Sequence, residues 1–113
     1  MNIRAFQVED EIRVIRLCQR AGLARPWNDP RKDILRKLAV QSEWFLVGLL
    51  NDHISASVMA GYDGHRGWVN YLAVDPDHQG AGHGRAIMKH VENLLVDAGC
   101  PKINLQIRHD NLA

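Results

Sequence analysis

The sequence predicts an α/β (α+β) fold: a mixed β-sheet in which an antiparallel meander runs into a parallel strand–helix–strand unit, with helices on both faces. Three observations carry this. Apolar residues recur at helical spacing in the first third of the chain and then change to alternating or continuous runs. Two short turn signals, Asn51-Asp52-His53 and Asp63-Gly64-His65-Arg66-Gly67, separate three such runs, as in a meander of hairpins. A glycine-punctuated loop then leads into one amphipathic pattern and a final alternating run, the layout of a crossover between parallel strands. The predicted order is β α α β β β α β.

Each element has a local reason. Residues 3–6 alternate polar and apolar, a short strand. Val8, Ile12, Ile15 and Cys18 recur at helical spacing, with Glu9, Asp10 and Glu11 where acids complement the helix dipole. Gly22 suits the helix stop. A turn-rich segment, Arg25-Pro26-Trp27-Asn28-Asp29-Pro30, precedes a second helix with Asp29 as N-cap and Pro30 in the first helical position. There Ile34, Leu35 and Leu38 form the apolar face, Arg31, Lys32, Arg36 and Lys37 read as the solvated one, and the end falls near Gln41 or Ser42. Residues 44–50 read as a buried strand, 54–62 as its hairpin partner and 68–74 as the third strand, broken by Asp75-Pro76-Asp77. A helix from Gly82 or His83 to Ala98 presents Ala86, Ile87, Val91, Leu94 and Leu95, and Gly99 and Pro101 end it. Residues 102–108 alternate Ile103, Leu105 and Ile107 as the last strand.

Composition narrows the function classes. At 113 residues the chain is one domain with one real core. Hydrophobic residues make up 46% and charged residues 24%, which excludes general disorder. The longest apolar run, residues 44–50, is too short to span a membrane, and no secretory leader is read at the N-terminus. Net charge is +1, so there is no electrostatic case for nucleic acid or a membrane surface. Cys18 and Cys100 read as two reduced thiols, which points to the cytosol.

Chemistry concentrates in the stretch from Leu72, Ala73 and Val74 through Gln79, Gly80, Ala81, Gly82, His83, Gly84 and Arg85. Alternating glycines let several backbone N–H groups face one ligand, and a helix N-terminus adds unsatisfied donors with partial positive charge. The combination is an anion cradle suited to phosphate or pyrophosphate, and Arg85 adds a fixed cation. No Gly-Lys-Ser/Thr follows, so it is not a P-loop. The third glycine comes one residue early for the dinucleotide fingerprint, and an antiparallel meander precedes it.

The Gln-x-x-Gly-x-Gly pattern of residues 79–84 resembles the acetyl-CoA pyrophosphate loop of the GCN5-related N-acetyltransferase (GNAT) superfamily. The preceding Leu72-Ala73-Val74, the Asp75-Pro76 break, the helix and the next strand follow in that family's order. The strings at 25–30 and 61–67 look like a small bacterial subfamily of acetyltransferases. The resemblance covers essentially the whole chain. It implies an N-acetyltransferase whose loop N–H groups bind the pyrophosphate of acetyl-CoA, with the pantetheine arm between the splayed ends of the strands at 72–74 and 102–108. A main-chain N–H near Leu72 would polarise the thioester carbonyl, and Asn111 would face the cofactor. A primary amine would then attack directly in a ternary complex. It also implies a further C-terminal helix and strands, which residues 1–113 lack, and it admits a homodimer.

The family's usual glutamate base is replaced by Asn70, which cannot take a proton but can hold a water. The candidates for the catalytic role are therefore Asn70, Tyr71, Asp63 and His65. Against this stands a non-catalytic acyl-CoA-binding module or inactive fragment, and a loop that binds another phosphate ligand, such as a nucleotide. Asp63 and His65 also read simply as turn residues. Trp44 and Trp68 read as core or rim packing, and Trp27 as a candidate lining of the acceptor site. No metal set is read: among His78, His83 and His90, His83 and His90 share a helix face, but no cysteine or carboxylate set completes a site, and His83 reads as packing within the loop.

Overall fold

The computed structural model describes residues 1–22, 30–100 and 103–105, with backbone alone at Pro30, Asn70 and 103–105. The elements are β1 (Asn2–Ala5), α1 (Glu11–Arg20), α2 (Pro30–Leu38), β2 (Phe45–Leu50), β3 (His53–Tyr62), β4 (Gly67–Val74), α3 (His83–Asp97) and β5 (Ile103–Leu105). Their order is the predicted one. Trp27, the Asp29 cap, Asn111, the Asn70 side chain and most of the predicted 102–108 strand lie outside the described residues.

Five strands form one sheet in chain order. β1 to β4 are antiparallel, and β5 runs parallel to β4, pairing Gly67 with Ile103 and Val69 with Leu105. Side chains alternate between two cores, as a pleated sheet requires. Phe45, Val47, Ile54, Met59 and Ala73 pack with Val14, Leu17 and Cys18 of α1 and Ile34 of α2. Leu46, Ala56, Val58, Val69, Leu72 and Val74 pack with Ile87, Met88, Val91 and Leu95 of α3. Among the described residues no helix is long and apolar enough to cross a membrane.

The turns follow local chemistry. Asn51 and Asp52 both take left-handed φ angles, 50° and 66°, the primed turn that matches strand twist. Gly99 (φ 86°) closes α3 with paired bonds, Gly99 N–H to Val96 O and Cys100 N–H to Leu95 O, both 2.9 Å. Asp10, buried, is a junction. It accepts from both Arg4 guanidinium nitrogens (2.7 and 3.0 Å), from Arg13 (2.8 Å) and from the Gln7 N–H (2.9 Å).

Several sequence expectations are corrected. α1 begins only after a 3-10 turn at Val8–Asp10, and its inward stripe is Val14, Leu17, Cys18 and Ala21, while Val8 in that turn and Ile12 in the first turn of the helix are exposed. α2 ends at Leu38 rather than near Gln41 or Ser42, and Leu35 faces solvent. Lys37 is not on a solvated face. Its ammonium donates to the carbonyls of Val40 (2.9 Å) and Ala60, and burial pushes its pKa down, partly countered by Glu43. Cys18 is buried and free, its thiol pushed up to about 12 chiefly by burial, so it is inert as expected.

Gly67 is glycine for lack of space: a Cβ there would lie 2.9 Å from Cys100 Sγ and 3.0 Å from Leu95 Cδ1. Gly67→Ala is expected to lower unfolding free energy by about 1–3 kcal/mol, read as a reduced urea midpoint with unchanged slope. Arg4 in the first place holds the Asp10 carboxyl below its ordinary pKa of 3.8. A depressed folded pKa gives stability that is complete above the unfolded value and is lost as pH falls through the folded one. The destabilisation caused by Asp10→Asn should therefore be full at neutral pH and shrink progressively below about pH 4, as urea titrations of both proteins at several pH values would show.

Candidate active site

The end of β4 is pinned before the glycine loop begins. The Asp75 N–H donates to Ser55 O of β3 (2.8 Å). Its buried carboxylate accepts from the Asp77 N–H (2.9 Å), pairs with Arg20 of α1 (3.1 Å) and meets His53 Nε2 of β3 (2.9 Å). Burial alone would raise this pKa, but the Asp77 N–H, His53 and Arg20 together outweigh it and hold the group ionised. Gln79 Nε2 reaches back to Val74 O (3.2 Å) and closes the loop root.

The loop itself is open. Gly80 and Gly82 have φ of 87° and 84°, and an added Cβ at either would meet nothing within 4 Å. Backbone conformation, not crowding, requires glycine there. Gly82 is the N-cap of α3, and Ala86 N–H is bonded to its carbonyl (3.0 Å). The N–H groups of His83, Gly84 and Arg85 are the first-turn donors that a helix cannot satisfy itself. Arg85 is exposed beside them, as an anion partner must be.

β4 also carries a defect. Its register with β3 slips between Ser57 and Met59, which pair with Ala73 and Asn70. Two residues of β4, Tyr71 and Leu72, oppose one of β3, and Tyr71 takes a left-handed φ of 54°. A bulky residue there is costly, of order 1–3 kcal/mol, and must be held by its surroundings. The Tyr71 hydroxyl donates to Asp33 of α2, and its ring packs against the α1–α2 core.

Beside Tyr71 lies a cavity of about 490 Å³ between α2, β3 and β4. Asp33, Lys37, Gln41, Tyr62, Asp63 and Trp68 are among its walls. β3 runs beyond the start of β2 here, and two side chains stand in for the missing strand. The Gln41 amide both donates to Tyr62 O and accepts from its N–H, each at 2.8 Å, and Lys37 takes Ala60 O.

Of the predicted catalytic candidates, Tyr71 and Asp63 line this cavity, and His65 is not among its lining residues. Asp63 holds its own turn, accepting from the N–H groups of His65 (2.9 Å) and Arg66 (2.7 Å) and from Trp68 Nε1 (3.4 Å). Those backbone bonds, Arg66 first, hold it below the ordinary carboxylate range. Asp33, Lys37 and Gln41 were not singled out from sequence. On a linear reading they belong to an exposed basic helix and its trailing loop, and no spacing marks them. The bulge did leave a signal: Val69 and Leu72 share a face although three residues apart, which an unbroken strand forbids.

Comparisons with known proteins place the chain in a family. The model of the acetyltransferase (GNAT) family matches residues 9–113. A protein described as "Acetyltransferase" from Yersinia pestis (strain Pestoides F) is 50% identical over 111 residues, covering 98% of this chain and 79% of its own length. The ribosomal-protein-S18-alanine N-acetyltransferase from Escherichia coli superposes with a TM-score of 0.79 at 26% identity, over 97% of this chain and 68% of that one. A GNAT family acetyltransferase from Brucella melitensis, solved in complex with acetyl-CoA, superposes at 0.70 with 16% identity, over 92% of this chain and 73% of that one. With a family model matched over residues 9–113 and a relative 50% identical across nearly all of this chain, the chain belongs to the GNAT family of acetyltransferases.

Proposed function

We propose that the chain transfers an acetyl group from acetyl-CoA to a primary amine by direct attack in a ternary complex, within a single domain and in the cytosol. One observation carries the reading: β4 bears the bulged Tyr71 beside the cavity and runs on through Val74 to the left-handed glycine cradle at the start of α3, so one strand connects a cavity with an anion site. The relative solved with acetyl-CoA supports the cofactor, and the buried, free thiol of Cys18 suits a reducing compartment.

In this reading the N–H groups of Gly80, Gly82, His83 and Gly84, with Arg85, hold the pyrophosphate; the Ala81 N–H, counted among them from the sequence, is instead given to the His78 carbonyl (3.3 Å). The strand backbone at Leu72, Ala73 and Val74 receives the pantetheine arm, and a main-chain N–H near Leu72 polarises the thioester carbonyl. Asn111, in the family's position for it, would also face the cofactor. The amine occupies the cavity beside Tyr71. As its nitrogen bonds to the acetyl carbon, the C–S bond breaks and the thiolate leaves. The amine proton passes through the Tyr71 hydroxyl, or a water held by Asn70, to the Asp33 carboxylate. Asp63 and His65 shape the rim.

Two measurements test this. Calorimetric titration with acetyl-CoA should show saturable binding that Gly82→Asp abolishes, because a side chain at φ 84° is strained and a carboxylate repels the pyrophosphate. In a thiol-release assay over a panel of amines, Asp33→Asn should lower kcat by about 100-fold or more and Tyr71→Phe by a smaller factor, with acetyl-CoA affinity unchanged. Binding without thiol release for every amine would instead identify a non-catalytic acyl-CoA-binding module.

A further inference from the structure

The root of the glycine loop holds a cluster that acetyl transfer does not use. His53 opens β3, Asp75 ends β4 and His78 closes the 3-10 turn at Pro76–His78. One ligand atom from each lies within 4.8 Å of the other two. The imidazoles form a row, with ring centroids 5.8 Å apart for His53 and His78 and 5.5 Å for His78 and His83. His83 brings a buried ring nitrogen, Nδ1, that has no hydrogen-bond partner among the described residues. A buried polar atom without a partner is costly and calls for an explanation.

We propose that His53, Asp75 and His78 form a binding site for a first-row divalent transition metal ion, of the Zn²⁺ class, at the root of the glycine loop. Two imidazoles and a carboxylate are borderline donors that suit zinc, nickel, cobalt or copper and not magnesium or calcium. Zinc ligands about 2.0–2.1 Å from the ion stand roughly 3.3–3.4 Å apart in a tetrahedron. His53 and Asp75 are slightly closer than that, at 2.9 Å, and the widest separation is at most 4.8 Å. Rotation of the half-exposed His53 ring adjusts both. Asp75 is preset for the role, since Arg20 and the Asp77 N–H occupy Oδ1 and leave Oδ2 to His53.

The nearby cations do not forbid a metal. Arg20 is shared with Asp77 and Arg13 is paired with Asp10, while Arg16 stands in solvent, where screening is strong. The ion would cross-link the start of β3 to the turn that launches the loop, and so rigidify the segment leading to Gly80.

The test uses the 113-residue chain without acetyl-CoA, so its outcome is independent of the acetyltransferase reading. Zn²⁺ is titrated in competition with a chromophoric chelator, and Co²⁺ binding is followed by its visible absorption bands. About one equivalent should bind, with Co²⁺ bands of low-coordinate nitrogen–oxygen ligation. His53→Ala and His78→Ala should each weaken Zn²⁺ binding by more than about tenfold. His65→Ala and His90→Ala, outside the cluster, should leave it unchanged. Asp75 is left intact because its loss would unpin β4. Absence of Zn²⁺ binding, or binding that survives the His53→Ala/His78→Ala double variant while the fold persists by circular dichroism, would overturn the site.

Discussion

A carboxylate removed from water must be surrounded by donors, and Asp75 meets that demand by drawing on separate parts of the fold. Arg20 comes from α1, His53 from the first residue of β3, and the Asp77 N–H from the turn that follows β4, while the Asp75 backbone closes the ladder to Ser55. Each partner fixes one element relative to the end of β4. The glycine loop therefore leaves from a fixed point and in a fixed direction. That matters because Gly80 and Gly82 supply no side-chain contacts of their own to position it. A cradle of backbone N–H groups is only as well aimed as its anchor.

The other constraint is the one-residue bulge in β4. A regular strand would send Val69 and Leu72 to opposite faces, but both must fill the core under α3. The extra residue resolves that conflict, and its strain falls on Tyr71. The same irregularity turns the Tyr71 ring towards α2, where Asp33 receives its hydroxyl. Packing on one face of the sheet thus creates a polar contact on the other. The cavity exists because α2 stops at Leu38 and β3 outruns β2, and Gln41 and Lys37 satisfy the carbonyls and N–H that the missing strand would have taken.

Much of this was legible in the residues. Strand and helix order followed from periodicity, the turn at Asn51-Asp52 and the stop at Gly99 from turn chemistry, and the anion cradle from three glycines between a strand and a helix. Val8 and Ile12 do not belong to the inward stripe of α1: Val8 lies in the 3-10 turn before the helix and Ile12 on its outer side in the first turn, and apolar spacing alone does not say which face a tertiary core covers. Lys37 looked like one of four solvated cations, and only the overhang of β3 gives its ammonium a buried partner.

The sequence by itself determined the fold class, the family and the loop, because these depend on local spacing and on backbone preferences that single residues impose. Tertiary structure alone decided which polar groups meet. Tyr71 and Asp33 are 38 residues apart, Gln41 and Tyr62 are 21 apart, and His53 and Asp75 are 22 apart. Each of these contacts forms only after strands have paired and helices have docked. Their partners are therefore selected by the geometry of the sheet and not by any pattern along the chain.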